Sequence, residues 1–182
     1  RCVVQGHGSL AAVGEVAVTD RQTGASRVVT ALNAALLAER PPAAPERFTV
    51  ARDGLEIDAW LLRPPDLQPG RRYPVVIDVH GGPNGYYGEN FNNVQQCLAS
   101  AGFLLVYCNP RGSTGYGRAF TQRVIGDWGG EDYLDILAVV EAVAARPEAD
   151  PARVGIYGGS YGGYMTALTV GRTDRFAAAV CG

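Results

Sequence analysis

Val154-Gly155-Ile156-Tyr157-Gly158-Gly159-Ser160-Tyr161-Gly162-Gly163 is the stretch that decides how this chain folds. A short apolar run enters a serine framed on both sides by glycines. The pattern is G-x-S-x-G with an extra glycine at each end. It marks a serine on a tight strand-to-helix turn, its hydroxyl lifted clear of the backbone. A turn that sharp forces backbone angles and close approaches that a Cβ would obstruct, and glycine removes the obstruction.

Working outward, a strand is expected over 153–157 and a helix over 161–171. Upstream, Tyr133, Ile136, Leu137, Val140, Val143 and Ala144 recur at helical spacing on one face, which predicts a helix over 131–146. Glu131, Asp132 and Asp135 favour its N-terminus through the helix dipole, and Pro147 follows its end. Residues 103–108 read as a strand running into Asn109-Pro110-Arg111-Gly112-Ser113, with a helix before it over 92–101. Residues 75–79 are an apolar strand interrupted by Asp78, and they lead into His80-Gly81-Gly82-Pro83. Downstream, 176–181 is a last apolar strand, expected to form an exposed edge that invites aggregation. From Pro74 onward strands alternate with helices, the signature of an α/β fold: a mostly parallel sheet with helices on both faces.

Before Pro74 the character differs. Residues 46–52 and 55–62 read as strands joined at Asp53-Gly54, a strong hairpin signal. Pro41-Pro42-Ala43-Ala44-Pro45 reads as a stiff, extended linker. Ahead of it, 15–20 and 27–32 are expected to form a hairpin through Arg21-Gln22-Thr23-Gly24, and Asn33 to cap a short helix over 34–39. Two segments follow from this division, 1–40 and 41–182.

The bulk numbers narrow the function. The 182 residues are 47% apolar and 19% charged, ordinary globular composition. A net charge of −2 gives no sign of a nucleic-acid partner or an anionic membrane, and no apolar run nears the ~20 residues of a membrane span. The start at Arg1 and the end at Cys181-Gly182 suggest a piece of a longer polypeptide. Cys2, Cys97, Cys108 and Cys181 are far apart, with no C-x-x-C pair and no histidine at ligand spacing, which argues against zinc. Buried free thiols in a reducing, cytoplasmic compartment are the plainer expectation. No G-K-[ST] follows any glycine-rich stretch, so none is read as a phosphate cradle.

In an α/β sheet, function collects beyond the carboxyl ends of the strands. Three special segments fall there: 80–83, 109–113 and 158–163. Ser160 is the candidate nucleophile of a hydrolase. The Tyr161 N–H is one candidate oxyanion donor, because it opens a helix whose first amides are free. The Gly82 N–H is the second, from the loop after an earlier strand; Pro83 has no N–H to give. His80 is not read as the general base, because in this layout the acid and then the histidine follow the serine. Its expected part is to shape the oxyanion loop through its ring nitrogens. His7 is read as a surface or packing residue, and no histidine follows Ser160. Asp127, Glu131, Asp132 and Asp135 are read as helix-capping and solvated carboxylates, Asp174 as a loop residue, and Arg111 as an ion-pair partner of that acidic cluster.

Four motifs in order, 80–83, Asn109-Pro110-Arg111-Gly112-Ser113-Thr114-Gly115-Tyr116-Gly117, Gly126-Asp127-Trp128-Gly129-Gly130 and 158–163, resemble the catalytic domain of the prolyl oligopeptidase family of serine peptidases. The nearest branch is that of the acylaminoacyl-peptidase and dipeptidyl-peptidase-like enzymes. The resemblance runs from about Glu46 to Gly182. It implies an α/β-hydrolase fold, here incomplete with about six strands, hydrolysis of short peptides by Ser160, and an oxyanion hole of Gly82 and Tyr161. It implies no cofactor and no metal. It also implies that residues 1–40 are the end of a β-propeller that restricts access to the site, and that the triad Asp and His lie beyond Gly182. Two other readings stay open. One is a carboxylesterase with the same elbow. The other is a non-catalytic relative that acts as a binding module.

Overall fold

The computed structural model describes residues 1–10 and 13–182. Among the described residues nine strands and five α-helices follow in the order β1 Cys2–His7, β2 Glu15–Asp20, β3 Ser26–Val28, α1 Ala34–Glu39, β4 Glu46–Arg52, β5 Leu55–Leu62, β6 Tyr73–Val79, α2 Asn93–Ser100, β7 Leu104–Cys108, α3 Arg118–Thr121, α4 Glu131–Ala144, β8 Ala149–Gly158, α5 Tyr161–Arg172 and β9 Ala178–Cys181. They form two sheets, a three-stranded one ordered β1-β2-β3 and a six-stranded one ordered β4-β5-β7-β6-β8-β9.

The large sheet opens with the β4–β5 hairpin. Its Asp53-Gly54 turn has positive φ at both residues, 51° and 70°, the twist that a two-residue hairpin needs. β5 pairs antiparallel with β7, and from β7 through β6 and β8 to β9 every pairing is parallel. β7 is buried at all five residues, as expected of a strand covered on both faces. On one face Ile57, Leu61, Val75, Ile77, Leu104, Val106, Val154 and Ile156 pack against α4 (Ile136, Val139, Val140, Val143) and α5 (Met165). On the other, Trp60, Leu62, Leu105 and Tyr107 pack against Ala99 of α2. β9 is the outer strand beyond β8 and is exposed along its length.

The small sheet is built differently. β1 and β3 are almost wholly exposed, and α1 buries no residue. Its turn forms as expected, with Asp20 Oδ1 accepting from the amides of Gln22 and Thr23 at 2.7 and 3.0 Å. Three details differ from the sequence expectation. β1 adds a third strand, which no turn signal announced. β3 stops at Val28, because Thr30 turns its hydroxyl inward, donating to Glu15 and accepting from the Val16 amide. Asn33 does precede α1 but its side chain makes no cap; its Nδ2 donates instead to the Val13 carbonyl, 2.7 Å away. The proline linker is docked rather than free: the Ala43 amide and carbonyl both bond the Gln96 side chain on α2, at 2.8 and 3.0 Å.

Candidate active site

The parallel strands end level with one another. Val79 lies beside Gly158, and Asp78 beside Tyr107 one residue before β7 ends at Cys108. The three loops that follow β6, β7 and β8 therefore meet at one edge of the sheet, where the sequence placed 80–83, 109–113 and 158–163.

Ser160 sits between β8 and α5 with φ 58° and ψ −121°. It is exposed. Among the described residues only Asp53 shares a positive φ without being glycine. Such a conformation costs about 1–3 kcal/mol and persists only where the surroundings impose it. Here they do. The Ser160 amide donates to the Gly182 carbonyl at 3.0 Å, and the Gly182 amide to the Gly158 carbonyl at 3.0 Å, which ties the turn to the end of β9. Helix α5 starts at once, with Tyr164 N–H on the Ser160 carbonyl at 2.9 Å. A Cβ on Gly158 would lie 2.7 Å from the Val79 oxygen, and one on Gly162 would run into that same oxygen. A Cβ on Gly159 would meet nothing within 4 Å. Three of the framing glycines, Gly158, Gly162 and Gly163, are thus demanded by close backbone approach, and Gly159 is not.

The loop after β6 lies against this turn: a Cβ built on Gly81 would be 3.7 Å from the Ser160 Cβ. Among the described residues no protein acceptor takes the N–H of Gly82 or of Tyr161. The loop is held by hydrogen bonds to the segment after β7. His80 Nε2 is 2.9 Å from Ser113 Oγ, and Nδ1 is 2.8 Å from the Gly81 carbonyl oxygen. The Asn84 side chain donates to the Gly112 carbonyl at 2.8 Å, and the Thr114 amide to the Gly85 carbonyl at 3.0 Å. Asn109, fully buried, clamps Tyr87 by both its amide and its carbonyl at 2.8 Å. It also donates to the Tyr116 hydroxyl at 2.9 Å, which in turn donates to Asp58 at 2.8 Å. His80 is only 6% exposed, and burial pushes its pKa below the ordinary histidine value. A ring so enclosed and engaged at both nitrogens is in no position to shuttle protons for Ser160.

Two of the four acidic residues read as capping and solvated need correction. Asp127 does cap, accepting from the Glu131 amide at 3.1 Å. Asp132 and Asp135, however, are completely buried. Asp132 accepts from the Tyr161 hydroxyl, so burial and this carboxylate both push the phenol pKa up. Asp135 takes Arg111 Nε and its backbone amide at 2.8 and 3.0 Å, and Arg52 Nη1 at 2.8 Å. The expected ion pair of Arg111 is therefore present, with the partner inside the core. Trp128 packs edge-on against the Tyr161 ring at 5.5 Å, which brings the 126–130 motif onto the first turn of α5. The four cysteines are free, and of them only Cys108 is buried. Among the described residues no helix is long and apolar enough to cross a membrane.

Comparison with known proteins places the chain among peptidases. The model of the prolyl oligopeptidase family matches residues 75–182. An uncharacterised peptidase of Bacillus subtilis, YuxL, is 44% identical over 154 residues, covering 84% of this chain and 23% of that protein. The acylaminoacyl peptidase of Pyrococcus horikoshii superposes with a TM-score of 0.88 at 36% identity, over 98% of this chain and 28% of its own. An acylaminoacyl peptidase bound to Z-Gly-Gly-Phe-chloromethyl ketone gives 0.90 at 36% identity, over 99% and 28%. The chain thus spans about a quarter of the length of these relatives. Its six-stranded sheet is that of an α/β-hydrolase, and the chain belongs to the prolyl oligopeptidase family of serine peptidases.

Proposed function

We propose that these residues supply the nucleophile and the oxyanion hole of a serine peptidase that hydrolyses short peptides. The observation that carries this reading is the conformation of Ser160: a positive φ on a non-glycine residue, enforced by backbone contacts that only glycine permits. The Ser160 Oγ attacks the peptide carbonyl carbon and forms the C–O bond. A histidine takes its proton, and the Gly82 and Tyr161 amides hold the oxygen anion. Collapse breaks the C–N bond, the amine leaves with the proton from that histidine, and water then releases the acyl group.

Neither histidine of this chain serves as that base. His80 is buried and engaged, and His7 lies on β1 of the small sheet. The base and its orienting Asp are assigned to polypeptide beyond these residues, in keeping with the share of the relatives that the chain spans. Residues 1–40 are assigned to the end of a β-propeller-like domain and 41–182 to the first part of the peptidase domain. The free cysteines fit a cytoplasmic enzyme.

The test is hydrolysis of chromogenic acyl-aminoacyl and dipeptidyl substrates by the complete polypeptide, with the matching esters alongside. Peptide turnover is expected. Ester turnover alone would turn the reading to a carboxylesterase, and no turnover of either class to a binding module.

A further inference from the structure

We infer that Asp132 holds the phenol of Tyr161 and through it the Tyr161 N–H, and so acts as a positioning residue on the nucleophile's side of the oxyanion. The inference rests on the part proposed above for the Tyr161 amide. Tyr161 is the first residue of α5, directly after the positive φ of Ser160. The amides on either side of it are taken up inside the turn: Ser160 N–H by the Gly182 carbonyl at 3.0 Å and Gly162 N–H by the Gly159 carbonyl at 2.9 Å. The Tyr161 N–H has no protein partner among the described residues, and the first turn of a helix offers it none. No hydrogen bond of its own therefore fixes its direction. The side chain on the same Cα does.

That side chain is anchored at its far end. Tyr161 is 4% exposed, and its hydroxyl donates to Asp132 Oδ2. Trp128 closes the ring edge-on at 5.5 Å, and Tyr164 lies beside it at 6.1 Å. Asp132 cannot give way. It is the second residue of α4, completely buried, with Oδ1 accepting from the Tyr133 amide at 2.8 Å. Behind it α4 is locked into the core by Ile136, Val139, Val140 and Val143, all fully buried. A rigid ring clamped at its Cα and at its hydroxyl thus ties the first residue of α5 to the first turn of α4.

The make-up of this clamp suits direction better than stability. One turn further along α4, Asp135 is equally buried but meets two arginines. Among the described residues Asp132 has a phenol, one amide and the N-terminus of α4 in place of a cation. A buried charged group is a poor source of stability beside apolar residues of like volume. A hydrogen bond, however, fixes where the phenol points, and apolar packing is not directional.

The experiment measures kcat and KM per active site of the complete polypeptide, with sites titrated by a fluorophosphonate. Tyr161→Phe keeps the ring and loses the tether. It is expected to lower kcat about 10-fold, less than the roughly 10²–10³-fold loss of a whole oxyanion donor. KM is expected to stay nearly unchanged, because the oxyanion forms only on the way through the transition state. Asp132→Asn still bonds the phenol through either of its amide atoms and is expected to keep most of the rate. Asp132→Leu combined with Tyr161→Phe fills the site with apolar groups. This double variant is expected to melt at or above the temperature of the parent, yet to lose kcat as Tyr161→Phe does. A peptide aldehyde, whose hemiacetal oxygen needs the same amide, is expected to bind more weakly in step with kcat, and the product peptide is not. A purely structural role would make kcat per titrated site follow the melting temperature. The inference is overturned by parental kcat in Tyr161→Phe or in the double variant, or by aldehyde affinity that holds while kcat falls. If the unmutated protein shows no turnover, or Ser160→Ala keeps it, the reading of Ser160 and its oxyanion hole falls, and this inference with it.

Discussion

The turn that carries Ser160 and the loop that carries Gly82 stand side by side and are held by opposite means. The turn is fixed by backbone against backbone: carbonyls of Val79, Gly158 and Gly182 crowd it, and glycines make the crowding possible. The loop is fixed by side-chain bonds to its neighbour: His80 on Ser113, Asn84 on Gly112, Asn109 on Tyr87. That neighbouring segment is itself anchored by Arg111 on the buried Asp135. A nucleophile needs one rigid position, and a strained backbone supplies it. A donor needs an angle, which a network of side chains can set.

The contrast can be broken from either side. The largest effect belongs to the nucleophile itself. Ser160→Ala is expected to cut kcat of the complete polypeptide by ~10⁶-fold with the melting temperature preserved, since the exposed hydroxyl holds nothing in place. Next is the anchor of the loop side. Asp135→Ala leaves Arg111 and Arg52 without their buried partner, and the expected loss is about 3–5 kcal/mol in chemical denaturation. On the turn side, Gly162→Ala drives a methyl into the Val79 carbonyl, at a cost of about 1–3 kcal/mol or more. Gly159→Ala meets nothing and is expected to stay within about 0.5 kcal/mol of the parent. Equal melting temperatures for these two variants would refute the backbone account of the turn.

The smallest effect is a pH slope. Burial lowers the His80 pKa, with the hydrogen bond to the Gly81 carbonyl and then the charge of Asp78 opposing. As pH falls below about 6.5, the unfolded chain takes up the His80 proton first while the folded ring stays neutral. Stability therefore falls with pH until the lower folded pKa is passed. His80→Asn is expected to flatten that part of the stability profile, and an unchanged slope would count against a neutral buried ring.

Much of this contrast was legible in the residues, though unevenly. The turn could be read because its demands are local: an apolar strand, glycines at fixed offsets, then a helical pattern. The β4–β5 hairpin was readable for the same reason, its Asp53-Gly54 turn carrying both positive φ values. The loop side was legible only in part: the ion pair of Arg111 with the acidic cluster could be expected, but not the long-range contacts that hold the loop. Asn109 meets Tyr87 across 22 residues, and Asp135 meets Arg52 across 83. Seen locally, Asp132 and Asp135 look like ordinary acids near a helix start, and nothing nearby betrays that one accepts from Tyr161 and the other from two arginines. β1 went unread because its pairing with β2 has no turn signature to announce it.

The most direct test of the account is covalent labelling. The complete polypeptide is treated with a fluorophosphonate, digested, and the modified residue located by mass spectrometry. The account predicts one adduct, on Ser160, lost in Ser160→Ala together with peptide hydrolysis. An adduct on a different residue of an active enzyme, or peptide turnover that survives Ser160→Ala, would contradict it.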